Sequence, residues 1–490
     1  MKIQVPRLMR KNPFGTRGNY YLGIYDRQTQ KTPIVFVHGL HSHAKKWFTR
    51  TNYYGKNDMY ELASSYGHPT AFVDLSTRKY GIWENGQLLA TQLKEIYHLF
   101  GQKKLAIVAH SKGGIDSQVA LFHYKVYPYV QSLITLGTPH YGSPLADLAF
   151  SPKAKALARM TGFLDKGTFQ MQTGYMEKLR SDMDSQIRTH SIPHFTLVGV
   201  DQAEQLNSIL SMGGKYLKQY GENDGVVVAK DAMLPYSKSI LGYWNHDNIR
   251  LGTATFPLLE ELIEGDYSIR RMTRHSQTRA KIVQPCLLHG GYTSFQQKEV
   301  ELLVPPAERE FWIQLLSSSK NLRIEAHSPD GKKEELEYKG FVTDVPFFPN
   351  THLYYFQVPN PKQGKWKIQI HDHGRNAYFL ISSFTSLKEE AIRIKKEDIC
   401  QGLATLQFSI QIPDDWKRDQ ISIHVITDSQ KHKRIEPIPI HQLKKTSQRE
   451  VLAELKVPKY EPINHFHFQV IGESKLGAIV ERDYVTSFHL

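Results

Sequence analysis

The 490-residue chain has only two cysteines, Cys286 and Cys400, which are too few and too far apart for a disulfide framework. Their scarcity fits a reducing compartment without requiring one. No apolar run approaches the ~20 residues that a membrane-spanning helix needs, and the N-terminus lacks the apolar core of a secretory signal. As written, the chain reads as cytoplasmic, with a secreted mature form also admissible. A concentrated basic stripe is missing too. Basic residues number 30 against 22 acidic up to residue 266 and 32 against 26 beyond, a diffuse excess that gives a net charge of +14. Such an excess argues against a nucleic-acid partner and favours weak attraction to anionic membranes or cell-wall polymers. His38, His41 and His43 lie close together, but no carboxylate or cysteine follows at ligand spacing, so they do not read as a metal site. The first 31 residues, with seven Lys and Arg against Asp26 alone, read as a solvated arm.

Against these absences stands the run from Lys104 to Gly114, KLAIVAHSKGG, where a short apolar strand ends in a serine flanked by tiny residues. Helical spacing over Ser117 to Tyr124 follows at once. Ser111 therefore sits at a sharp strand-to-helix turn with its hydroxyl outward, the geometry of a nucleophile elbow. Ala109 stands where the G-x-S-x-G pattern has its first glycine, and Gly113 supplies the second. The pentapeptide alone equally allows a serine that caps a helix, so its partners in the chain must decide.

Upstream, Pro33 to Leu40 is a second buried strand that runs into a His-Gly turn. The amides of Leu40 and Lys112 are the candidate donors to an oxyanion, and His38 reads as a turn-stabilising group. Downstream, Glu222-Asn223-Asp224-Gly225 presents an acid in a turn, and Asn245-His246-Asp247 presents a histidine 22 positions later. The order Ser111, Asp224, His246 is that of α/β-hydrolases. A serine hydroxyl is a weak nucleophile; a histidine that takes its proton and an acid that orients the imidazole make it competent. Asp201, which ends the strand from Phe195, is the rival acid. Asp247 is too close to His246 in sequence to orient it.

These motifs, together with Leu136-Gly137-Thr138-Pro139-His140-Tyr141-Gly142-Ser143-Pro144, resemble the bacterial triacylglycerol lipases and esterases of the α/β-hydrolase superfamily over about residues 30–260. The resemblance implies Ser111 as nucleophile, Asp224 as acid, His246 as base, and Leu40 with Lys112 as oxyanion donors. It implies no cofactor. A structural calcium near this loop is doubtful, because the aspartate beside His246 falls one position earlier than in the calcium-binding relatives.

Short β-branched runs at Thr70 to Leu75, Leu105 to Ala109, Ser132 to Leu136 and His194 to Val200 alternate with helical patterns such as Gln87 to Phe100, which predicts a doubly wound, mostly parallel sheet. Residues 146–190 lack a strand pattern and carry many Leu, Met and Phe, as expected of a helical cap suited to apolar acyl chains. Met212 to Tyr220 is a candidate second wall of the cleft. Beyond residue 267 alternating strands and turn signals replace helices, as in Glu299 to Val304, Phe311 to Leu316 and Trp366 to Ile370, and later Leu406 to Ile412 and His465 to Ile471. The expected division is a hydrolase domain at 1–266 and β-sandwich domains at 267–387 and 388–490, with Lys388 to Cys400 as the junction. The predicted activity is hydrolysis of apolar acyl esters, with lipid or another apolar ester as substrate and contact with a lipid interface. Acyl transfer by the same triad, or a hydrolase-fold scaffold, are the alternatives.

Overall fold

The computed structural model describes residues 5–9, 18–75, 80–189, 192–203, 208–265, 286–293, 298–304, 308–335, 337–342, 347–384, 392–400, 403–411, 416–428, 436–438, 442–447, 450–458, 463–475 and 479–489. The runs Ile34–Val37 (β3), Thr70–Val73 (β4), Leu105–His110 (β5), Val130–Leu136 (β6) and His194–Gly199 (β7) are almost wholly buried. Strands apolar on both faces are stable only when covered on both sides, and this predicts a parallel sheet with flanking helices. Together with Arg7–Met9 (β1), Tyr20–Leu22 (β2) and Lys238–Gly242 (β8) they form a sheet in the order β1-β2-β4-β3-β5-β6-β7-β8. From β4 to β8 the neighbours are parallel, whereas β1 and β2 are antiparallel.

Alternation along the strands divides the core. Val35, Val37, Ile107 and Ala109 face Leu89 and Leu93 of helix α2 and Ile115 of helix α3. Phe36, Phe72, Val108 and Ile134 face Met59 of α1 and Phe256 and Leu259 of α9, with Phe36 and Phe72 stacked at 4.9 Å. These helices are α1 (Met59–Ser65), α2 (Ile82–Leu99), α3 (Lys112–Gln118) and α9 (Gly252–Glu264). Three expectations are corrected. The N-terminal segment is no solvated arm: Arg7–Met9 and Tyr20–Leu22 extend the sheet, with Tyr20 and Tyr21 buried. Helix α2 starts five residues early, because Glu84 accepts the Gly81 amide and Gln170 accepts that of Ile82. The helix after the nucleophile begins at Lys112 and loosens into a π-type stretch over Val119–His123.

Between β6 and β7 the chain forms α4 (Pro144–Phe150), α5 (Lys155–Met160), α6 (Lys166–Gln170) and α7 (Thr173–Thr189), where the cap was expected. Helix α8 (Ile209–Leu217) precedes the acid loop. The β-rich remainder builds four antiparallel sheets. The first pair comprises Cys286–Tyr292 (β9), Lys298–Val304 (β10), Glu310–Ser317 (β11), Arg323–His327 (β12), Lys333–Glu335 (β13), Glu337–Val342 (β14), Thr351–Pro359 (β15), Gly364–His371 (β16) and Ala377–Phe384 (β17), in the orders β10-β16-β12-β13 and β14-β15-β11-β17-β9. Val300, Ile313, Leu315, Ile324, Trp366, Ile368 and Leu380 fill the space between them.

The second pair comprises Ile392–Cys400 (β18), Leu403–Gln411 (β19), Trp416–Asp428 (β20), Glu436–Ile438 (β21), Gln442–Ser447 (β22), Glu450–Pro458 (β23), Ile463–Ser474 (β24) and Ile479–His489 (β25), ordered β18-β19-β23-β22 and β21-β20-β24-β25. Lys388 to Cys400 was expected as a junction, yet Ile392–Cys400 is a strand paired with β19. Residues 388–391 of that junction lie outside the described residues.

The β-rich part does not stand clear of the hydrolase part. Leu288, Leu316, Phe379, Ile381 and Val485 join the same buried cluster as Leu157, Phe163 and Met176 of the cap region. Phe163 packs against Phe347 and Phe348, with ring centroids 5.7 and 5.3 Å away. Lys215 of α8 lies over the rings of Trp312 and Tyr355 at 4.1 and 5.2 Å. Strand β25 seats on the cap and on the segment before the acid loop through polar contacts: Ser487 Oγ donates to Asp147 at 2.6 Å, and Tyr220 donates to the Val485 carbonyl at 2.8 Å.

Candidate active site

Strand β5 ends at His110, and Ser111 then takes φ 54° and ψ −134°, a left-handed conformation that non-glycine residues adopt only when their surroundings enforce it. Close approach supplies that enforcement. A Cβ on Gly113 would lie 2.4 Å from the His38 carbonyl oxygen, and one on Gly39 would lie 2.7 Å from Ser111 Cβ. Only glycine at both positions lets the nucleophile turn and the β3 turn come this near. Thr138 of the L-G-T-P segment donates to the Ser111 carbonyl at 2.9 Å and fixes the turn from its other side.

His246 Nε2 lies 3.0 Å from Ser111 Oγ, and its Nδ1 lies 2.7 Å from Asp224 Oδ2. The remaining carboxylate oxygen of Asp224 accepts the amides of Val226 at 2.9 Å and Val227 at 2.7 Å, so the turn holds the acid in place. All three side chains are buried. Asp201 points elsewhere: it accepts from Asn245 Nδ2 at 2.9 Å and from the Ala203 amide at 2.9 Å. Asp247 pairs with Arg250 and accepts the Tyr53 amide at 3.2 Å.

Leu40 and Gly39 line a small cleft that opens on Ser111 and His246. Lys112 is the first residue of α3, so its amide is among the helical N–H groups that have no partner within the helix. Its side chain turns away to Asp116 at 2.7 Å. His38 accepts the Leu75 amide on Nε2 at 3.0 Å and donates from Nδ1 to the Gly39 carbonyl at 2.9 Å. Burial lowers its pKa to about 4, and a neutral ring is what this donor and acceptor pair requires. The second wall expected from Met212 to Tyr220 is not among the lining residues; the cleft is bounded instead by Leu210, two positions earlier at the start of α8. Among the described residues no cluster of three or more His, Cys, Asp or Glu could hold a metal ion. No described helix is long and apolar enough to cross a membrane.

A PGAP1-like alpha/beta domain matches residues 28–157. The crystal structure of Bacillus licheniformis lipase BlEst2 in its propeptide form is 28% identical, with a TM-score of 0.76 over 97% of this chain and 98% of that one. The chain belongs to the lipase and esterase group of α/β-hydrolases. The mature form of BlEst2 is 42% identical over 51% of this chain and 99% of its own, with a TM-score of 0.47.

In this hydrolase several cleft residues escaped sequence reasoning, among them His110, Asn52, Tyr53 and Arg250. No short motif marks Asn52, Tyr53 or Arg250, and His110 fills only an unspecified position of the nucleophile pentapeptide. Asn52 and Tyr53 come from the loop before α1 and meet Asp247 and Arg250 only in the fold. Asn245 was legible only as a neighbour of the histidine. Its side-chain oxygen accepts the amides of Asp247 and Asn248 at 3.1 and 3.0 Å, which shapes the turn that carries His246.

Proposed function

We propose that this hydrolase cleaves carboxylic esters of apolar acyl groups by a Ser111-His246-Asp224 mechanism. The observation that carries the reading is the continuous hydrogen-bonded chain from Asp224 through His246 to Ser111 at a strained elbow. Ser111 Oγ attacks the ester carbonyl while His246 Nε2 takes its proton. The tetrahedral oxyanion is stabilised by the amides of Leu40 and Lys112, each such donor contributing about 3 kcal/mol in a preorganised site. His246 then protonates the leaving alcohol, and Asp224 stabilises the imidazolium. A water activated by the same histidine releases the acid and restores Ser111.

We further assign residues 1–266 to catalysis and residues 267–387 and 388–490 to two β-sandwich units. BlEst2 in propeptide form aligns with nearly the whole chain, and its mature form aligns with about half. This supports reading the β-rich half as a pro-region that covers the cap. A fluorophosphonate probe tests the enzyme assignment directly: the folded full-length chain should label, and Ser111→Ala should not. Absence of labelling on folded wild type overturns it.

A further inference from the structure

His110 immediately precedes the nucleophile, is 5% exposed, and takes no part in the proton transfers above. Its Nε2 lies 2.9 Å from the main-chain carbonyl oxygen of His246, and the two imidazole rings pack with centroids 4.6 Å apart at 50°. Since a carbonyl only accepts, this nitrogen carries the hydrogen and donates it. On its outer side the ring meets Trp47 edge-on at 6.5 Å, and the Gly39 turn closes on Nδ1, where an added Cβ would come within 3.3 Å.

The main chain of His246 is thereby pinned at both ends, because its amide donates to the Asp224 carbonyl at 2.8 Å. We infer that His110 is a positioning residue for the base, acting through the His246 carbonyl and ring rather than on the substrate. The inference rests on the ester-hydrolase reading.

The tautomer matters to the reaction. Burial first, and then the nearby His246, Arg250 and His38, hold the His110 pKa well below the ordinary histidine value. His110 thus stays neutral when His246 becomes an imidazolium in each turnover, and no second cation forms 4.6 Å away. The acid limb of the rate profile should then report one proton.

Steady-state hydrolysis of p-nitrophenyl acetate by the full-length chain tests this. His110→Phe keeps a ring but removes the donor; kcat should fall by on the order of 10²-fold with KM unchanged, as expected when a reacting group is misplaced. His110→Gln carries an amide nitrogen near the position of Nε2 and should recover most of kcat. His110→Asn falls short of the carbonyl and should match His110→Phe, which keeps the test decisive even if the Phe variant misfolds. Wild type should show an acid limb of unit slope. Wild-type kcat in both His110→Phe and His110→Asn, a Gln variant no better than Asn, or a two-proton limb would each overturn the inference. A folded wild type that neither hydrolyses the ester nor takes a fluorophosphonate label overturns the ester-hydrolase reading instead, and this inference with it.

Discussion

At the residue scale, the backbone of Ser111 stores strain that is useful only if its hydroxyl must stand clear of the sheet end. The proposed roles predict a ranking. Ser111→Ala and His246→Ala should lower kcat for a soluble p-nitrophenyl ester by about 10⁴-fold or more, and Asp224→Ala by roughly 10⁴-fold, since each removes part of one unit. Asp201→Ala should retain most turnover, because its carboxylate holds the Asn245 amide rather than the imidazole. Equal losses in Asp201→Ala and Asp224→Ala would reassign the acid. Sequence order made Ser111, Asp224 and His246 legible, because each stands in a turn between strand-like runs. The choice of Asp224 over Asp201 was less legible: Asp201 ends an apolar run and Asp224 precedes one, and only the path of the chain shows which carboxylate meets Nδ1.

At the element scale, helices α4 and α7 meet strand β25 around Asp147, which is buried and accepts from Ser487, from the Thr173 hydroxyl at 2.6 Å and from the Thr173 amide at 3.1 Å. Burial, only partly offset by these donors, pushes its pKa up to about 6 from 3.8. A raised carboxylate pKa means that the folded state holds the proton more tightly than the unfolded chain. Its effect is therefore neutral below pH 3.8, and stability is lost as pH rises from there through about 6. In thermal melts between pH 4 and 7 the wild type should therefore lose ground relative to Asp147→Asn as pH rises, whatever slope the buried histidines give to both. A wild-type melt that rises steadily over that range with the same slope in Asp147→Asn would contradict the assignment. Strand β25 was not read from the sequence because Glu481, Arg482 and Asp483 interrupt its apolar pattern. In the fold Asp483 is satisfied by the Leu288 amide and His467, so the charges carry no exposed-loop meaning.

At the scale of the whole molecule, one apolar cluster runs from the hydrolase sheet through the cap to β9, β11, β17 and β25. Removing residues beyond 266 would uncover the cap face that carries Leu157 and Phe163. The truncated chain should keep activity on a short soluble ester, because Ser111, Asp224 and His246 all remain, but should melt at a lower temperature and bind an apolar dye. If it loses short-ester activity while still melting cooperatively, the β-rich half contributes to the site itself. Esters with long acyl chains should gain relative to short ones after truncation, if Phe347 and Phe348 restrict access by packing on Phe163. An unchanged chain-length profile would remove that role.

The sequence by itself determined the parallel sheet and the order of the candidate triad. Strands buried on both faces must be apolar throughout, and a nucleophile turn must carry small residues where two chain segments touch. Both demands are local and leave a readable pattern. Tertiary structure alone decided which acid faces His246, that His110 braces the His246 main chain, and that charged strands such as β18 and β25 belong to sheets. These depend on how the chain folds back on itself, over 22 residues for Asp224 and His246 and 136 for His110 and His246, and such hydrogen bonds and burial have no counterpart in the spacing of a single segment.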